Sequence, residues 1–259
     1  MMNIVLFFLI SYIISPGDAV TYSLAGLYPP QELHCEAIFI NPALLLNSGR
    51  FSTTLTFKDF YFMKDFKEIT FSAGTVLKNT GLGAGISSKS IPGVYSENTY
   101  LLALAKKIFK IKVGFGARMI EIKAPDDNLT KRAFSVDYGL SYSYSIFTLS
   151  FSHLNVLSPD IAVVGSGEES NPLLSVQINI NKPNSVNWIY GYEKNGDRED
   201  FVIGSEMWFS RGFGLRIGLR ERRIYMGLAL KTPSWGINVS FGSHRELGTS
   251  YVISTFYVL

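Results

Sequence analysis

A single cysteine, Cys35, leaves no partner for an internal disulfide, which excludes a secreted disulfide scaffold. Charge is also scarce: Asp, Glu, Lys and Arg make up 17% of the 259 residues, against about 25% in a typical soluble domain. The basic residues are scattered and the net charge is only +3, so a nucleic-acid partner is not expected. After residue 20 no apolar run approaches the ~20 residues of a membrane helix. There are three histidines, His34, His153 and His244. No cluster of His, Cys, Asp or Glu has ligand spacing, so no metal is expected. No nucleophile is placed beside a histidine base, because Ser152 and His153 fall on opposite faces of an alternating segment. Gly81 to Gly85 has the glycines of a nucleotide loop without the helix that would hold a phosphate. The chain is expected to carry no catalytic residue and no cofactor.

What is abundant is glycine and aromatic side chains, with 23 Gly, 14 Tyr and 19 Phe. From Arg50 onward apolar residues alternate with small or polar ones. Phe51, Thr53, Leu55 and Phe57 interleave with Ser52, Thr54, Thr56 and Lys58. The same pattern recurs in Ile111–Met119, Phe134–Tyr142, Leu174–Ile180, Phe213–Leu219 and Trp235–Phe241. Period two gives each segment one apolar face and one polar or glycine face. About fourteen such segments, each roughly ten residues long, can be marked out between residues 50 and 258.

A soluble secreted β-sandwich alternates too, but its polar face meets water and should be rich in Lys, Glu and Thr. Here that face is mostly Gly, Ser and Ala, as a crowded barrel lumen requires. The apolar face ends in Trp188, Tyr190, Tyr192, Trp235, Tyr251 and Tyr257, which suits interface girdles. Arg216 turned toward lipid at the midplane would cost about 2–4 kcal/mol, so the inward parity is strongly set. The expected fold is all-β: a transmembrane antiparallel up-and-down barrel surrounded by lipid of the bacterial outer membrane. Even-numbered connections look tight (Asn79-Thr80, Lys107-Ile108, Ser145, Lys182 to Asn184, Arg211, Pro233). Odd ones look longer (Tyr61 to Lys67, Ile91 to Glu97, Ala124 to Lys131, Ser158 to Asn171, Asn195 to Glu199, Ser243 to Leu247). The last strand must pair with the first, since an open edge in lipid leaves its amides unsatisfied.

Ahead of the strands, residues 1–19 read as a signal peptide: an apolar stretch from Asn3 to Ile14, then Pro16-Gly17, then small residues ending at Ala19. No Lys or Arg precedes the apolar stretch, and a retained anchor is the alternative. Residues 33–45 are apolar without helical or strand periodicity and are broken by Pro42. They are expected to form the core of a 20–49 hatch lodged in the lumen of a 50–259 barrel.

Ala37-Ile38-Phe39-Ile40-Asn41-Pro42-Ala43-Leu44 resembles the Asn-Pro-Ala signature of the FadL-like (long-chain fatty-acid transporter) superfamily, and more closely the opening of its PorV/PorQ-like branch. Leu102 to Lys107, Gly114 to Ala117, Phe134 to Leu140 and Ser152 to Asn155 follow in that branch's order. Leu44-Leu45 departs from the usual Ala-Gly-Leu continuation. The resemblance implies an outer-membrane barrel with Asn41, Pro42 and Ala43 in its hatch. It implies either passage of hydrophobic small molecules or, as in a type IX secretion shuttle, docking of secreted or cell-surface proteins. On parity, Lys110, Lys112, Arg118, Asp137, Glu193, Glu206, Arg216, Arg220 and Arg223 face the lumen, either lining a polar path or pairing with one another and with the hatch. An apolar stripe through the lumen would favour transport; a lumen sealed by salt bridges would favour docking.

Overall fold

A computed structural model describes residues 17–30, 32, 34–61, 65–124, 129–161, 172–181, 186–209, 212–244 and 248–259. Most of the expected signal peptide, residue 33 and the connections at 182–185 and 210–211 lie outside these. Fourteen strands form one closed antiparallel barrel in which each strand pairs with its neighbours in the chain. They are β1 Phe51–Asp59, β2 Lys67–Leu77, β3 Thr80–Ile91, β4 Tyr95–Ile108, β5 Ile111–Ala124, β6 Leu129–Tyr144 and β7 Phe147–Leu154. The second half is β8 Leu173–Ile180, β9 Asn187–Asn195, β10 Arg198–Phe209, β11 Phe213–Arg220, β12 Arg223–Lys231, β13 Trp235–His244 and β14 Gly248–Val258. Closure comes from β14 lying against β1, with Thr53 opposite Tyr257 and Phe57 opposite Ile253.

The alternation of residue types is the alternation of faces. Leu55, Phe71, Leu102, Phe115, Phe134 and Ile217 stand exposed on the outside, while Ser52, Thr54, Thr56, Ser72, Ser240 and Ser254 between such residues are buried. A one-residue slip would put each of these sets on the wrong side.

The connections depart from expectation in two ways. Lys107 and Ile108 are not a turn: they continue β4, paired with Lys112 and Ile111, and the chain reverses at Phe109-Lys110. Phe109 adopts φ +54° there, so the reversal is made by a left-handed residue that carries no turn-forming composition. The odd connections are not uniformly long either. β3 and β4 are separated by three residues, Pro92 to Val94, and β9–β10 and β11–β12 by only two each, 196–197 and 221–222. The strands themselves extend through the polar stretches that look like loop, with Lys89 opposite Glu97 and Lys194 opposite Glu199.

The segment before β1 is buried against the inner wall on opposite sides of the barrel. Ala19 N donates to Ser254 Oγ of β14, Tyr28 N to the side-chain oxygen of Gln177 in β8, and Asn41 Nδ2 to the Phe151 carbonyl in β7. A chain making all three contacts crosses the lumen. Its first element is a short helix, α1 (Ala19–Ser23), capped by Asp18, whose Oδ1 accepts from the Thr21 amide. Two 3-10 turns follow at Cys35–Phe39 and Pro42–Asn47. Pro42 opens the second, where its missing N–H costs nothing, and Asn41 caps it by accepting from Ala43 N at 3.0 Å.

Candidate functional site

The lumen is where the segment and the wall meet, and the meeting surface has two chemistries. One is apolar. Cys35, Ile38, Phe39 and Leu45 pack on Leu101, Ala103 and Ala105 of β4, all buried. Leu24 and Leu27 pack near Ile189 of β9 and Val202 of β10. Small wall residues make the approach possible: a Cβ on Gly114 would overlap the Pro42–Ala43 backbone, and one on Gly139 would overlap the Asn41 side chain. The glycines of β5 and β6 are thus seats for the Asn41-Pro42-Ala43 turn.

The other chemistry is ionic. His34 lies between two carboxylates, Nδ1 3.2 Å from Asp18 Oδ2 and Nε2 3.4 Å from Glu32 Oε2, with its ring 3.8 Å from that of Phe256. Arg216 of β11 reaches in from the wall, 2.7 Å from Glu32 and 3.2 Å from Glu206, and Arg216 Nη1 donates to Asn238. Lys231 stands 3.5 Å from the same Glu32. Trp208 donates to Glu206 and lies within 5.2 Å of the Arg216 guanidinium and 5.1 Å of the Lys231 ammonium. Burial opposes ionisation of Glu32, but Arg216, His34 and Lys231 outweigh it and hold its carboxyl below the usual range. Glu36 has the opposite environment. Burial, with Asp18 nearby, pushes its carboxyl well above the usual range, while Thr56 Oγ1 donates to it at 2.9 Å.

The sequence candidates are distributed through this arrangement unequally. Arg118 and Asp137 pair at 2.7 Å, and Asp137 also accepts from Asn155 N. Glu206 and Arg216 join in the ionic cluster just described. Arg220 pairs with Glu193 and lies 3.8 Å from Asp200. Arg223 is half-buried at the start of β12, in register with Arg220. Lys112 donates to the Asn47 side chain. Lys110 stands apart: it is exposed in the β4–β5 turn, 5.7 Å from the outward-facing Tyr144 ring. Strand alternation does not mark the segment's own acids, Asp18, Glu32 and Glu36, which lie ahead of the first strand. Their signal was present, as charges inside an otherwise apolar stretch.

Of the other histidines, His153 bonds the Tyr138 hydroxyl on the outer face and His244 packs edge-on to Tyr61. Among the described residues no group of three or more His, Cys, Asp or Glu is arranged to hold a metal ion.

No known family profile matches the sequence, and no curated protein matches it. Solved structures do resemble the fold. A Pseudomonas aeruginosa FadL homologue superposes with a TM-score of 0.68 at 9% identity, over 95% of this chain and 99% of that one. The Pseudomonas putida toluene transporter TodX gives 0.70 at 10% identity, over 95% and 99%. The CymD monoaromatic hydrocarbon channel gives 0.65 at 9% identity, over 94% and 97%. The chain therefore has the barrel fold of FadL-type hydrocarbon transporters. At such identity the likeness is one of fold.

Proposed function

We propose that this chain is an outer-membrane barrel of the FadL-like type that passes hydrophobic small molecules, with residues 20–49 as its hatch and Asn41, Pro42 and Ala43 as the turn that seats it. The observation that carries this reading is the apolar seam between Cys35–Phe39, Leu45 and β4. A seam closed by dispersion and hydrophobic contact opens at lower cost when an apolar molecule takes the hatch's place, because the wall stays covered. The exposed aliphatic and aromatic outer face, with Trp188, Trp235 and Tyr257 among it, supports a lipid-embedded barrel.

A second reading is favoured by a different observation. The ion pairs of Arg216, Arg220 and Arg118 leave the lumen crowded and charged, which suits a PorV-like barrel that docks secreted or cell-surface proteins.

Tethering the hatch separates the two. Cys35 Sγ lies 3.2 Å from Ser72 Oγ, so Ser72→Cys places two sulfurs within reach of a disulfide after a small adjustment. In vesicles, oxidised Ser72→Cys should lose uptake of a hydrophobic probe and dithiothreitol should restore it. Uptake indifferent to the tether, alongside stable co-purifying proteins, would replace transport with docking.

A further inference from the structure

The two rims of the barrel differ in charge. The rim that bears Arg50 and Leu259 also bears the β2–β3, β4–β5 and β12–β13 turns. Its cations include Arg50, Lys78, Lys106, Lys107 and Lys110, all exposed; Lys231, at the β12 end of the same rim, meets Glu32 of the N-terminal segment, whereas residues 48–52, 76–82 and 104–114 around the first five contain no Asp or Glu. On the opposite rim cations meet acids: Lys89 with Glu97, Lys131 with Asp160, Lys194 with Glu199, Arg198 with Glu221.

The cations of the first rim gather in one quadrant. Lys107 N donates to Asn79 O, which ties the Lys78-Asn79 turn to the end of β4. Lys106 lies between Thr80 and Val113 in register. It shares the outer face of β4 with Leu102 and Leu104, about 7 Å beyond Leu104 along the strand. Directly along those strands the outer wall is indented. A groove of about 940 Å³ runs over Ala73, Ala84 and Ala117 between Phe51, Leu82, Leu102, Leu104 and Phe115. That volume falls in the range of small-molecule sites, about 300–1,000 Å³. At the tip of the adjoining turn Phe109 is 93% exposed and holds φ +54°, an unfavourable conformation for a bulky residue. In water such a ring is a liability; in a headgroup layer it is an anchor.

We propose that this quadrant binds an anionic phospholipid of the adjoining leaflet, its phosphate on Lys78, Lys106, Lys107 and Lys110 and an acyl chain in the groove over Ala73, Ala84 and Ala117. The proposal rests on the membrane-embedded reading above and adds a specific lipid partner to it. Charge selects the headgroup, because zwitterionic lipids offer no net negative charge to a quadrant whose charged side chains are all cationic. The groove selects a chain-bearing ligand over free phosphate.

The test is native mass spectrometry of the barrel released from nanodiscs of equal phosphatidylglycerol and phosphatidylethanolamine. Wild type should retain phosphatidylglycerol several-fold in excess. Replacing Lys78, Lys106, Lys107 and Lys110 by Gln should abolish the excess, and each single replacement should lower it. The four Lys→Arg replacements should preserve it. Ala84→Phe, which fills the groove and leaves the lysines in place, should lower total lipid retention, and Lys123→Gln with Lys131→Gln on the opposite rim should change nothing. Heat-modifiable migration establishes that each variant is folded. A barrel that inserts yet shows no phosphatidylglycerol excess, or keeps it in the four-Gln variant, overturns this inference alone. A chain that stays monomeric and soluble without detergent overturns the membrane reading itself.

Discussion

Arg118 reaches diagonally across the β5–β6 ladder and grips Asp137 through both Nε and Nη2, while Gly116, the residue opposite Asp137, leaves the room the pair needs. Both side chains are buried, and the second carboxylate oxygen of Asp137 accepts from Asn155 N at 2.7 Å. Asp137→Ala strands the guanidinium and should cost about 3–5 kcal/mol, whereas removing both charges in Arg118→Met with Asp137→Leu should cost far less. Urea unfolding midpoints in detergent, combined as a double-mutant cycle, measure the difference.

Gly114→Ala places a methyl against the Pro42–Ala43 backbone. Overpacking of this kind costs about 1–3 kcal/mol. Because the obstruction lies between the N-terminal segment and the wall, the loss should be accompanied by faster maleimide labelling of Cys35, which is fully buried in the wild type. A drop in stability with Cys35 still protected would put the strain in the barrel wall instead.

Glu36 sets a pH dependence. Its carboxyl is held above the ordinary value of about 4.3, so the folded state binds the proton more tightly than the unfolded chain. Its contribution is therefore complete below that ordinary value and declines as pH rises toward the elevated one. Glu36→Gln keeps an acceptor for Thr56 and removes the titration. The variant should gain on the wild type progressively as pH is raised from about 4 toward neutrality, read as the difference in thermal midpoints. Glu32 acts in the reverse sense: its carboxyl is held down, so its contribution is present above the ordinary value and fades as pH falls.

Asp18 and Ala19 are built into the lumen, one capping α1 and facing His34, the other bonded to Ser254. A chain processed after Ala19 would lose the cap, worth about 1 kcal/mol, and leave His34 with one carboxylate neighbour. Intact-mass measurement on membrane-extracted protein should find Asp18 retained.

The strands were legible because the outer face of the barrel is apolar and the lumen side is crowded with small and polar groups, so alternate residues differ in chemistry, as Phe51 to Lys58 and Phe213 to Arg220 display directly. Turn positions were less so. Lys107 and Ile108 look like a polar break, yet they pair with Lys112 and Ile111 and the reversal falls on Phe109. Helix α1 is five residues long, too short to leave a periodicity, and its stability comes from the Asp18 cap and the surrounding wall. Inward parity could be read for Arg118, Arg216 and Arg220 one by one. Their partners could not, because Glu32 is 184 residues from Arg216 and the pairing exists only once the segment is in the lumen.

The seam between β1 and β14 joins the first strand of the sheet to the last, and Arg50 N and Phe51 N both donate to the carbonyl of the final residue, Leu259. The segment before β1 already touches β7, β8 and β14 from within. With the seam closed, the lumen opens only at its two ends, and the segment hangs from the rim at Arg50, where β1 begins. The same ladder that joins first strand to last therefore also fixes the width of the space around residues 17–49, so a variant that weakens the β1–β14 pairing should uncover Cys35 together with the strand edges, read as faster maleimide labelling.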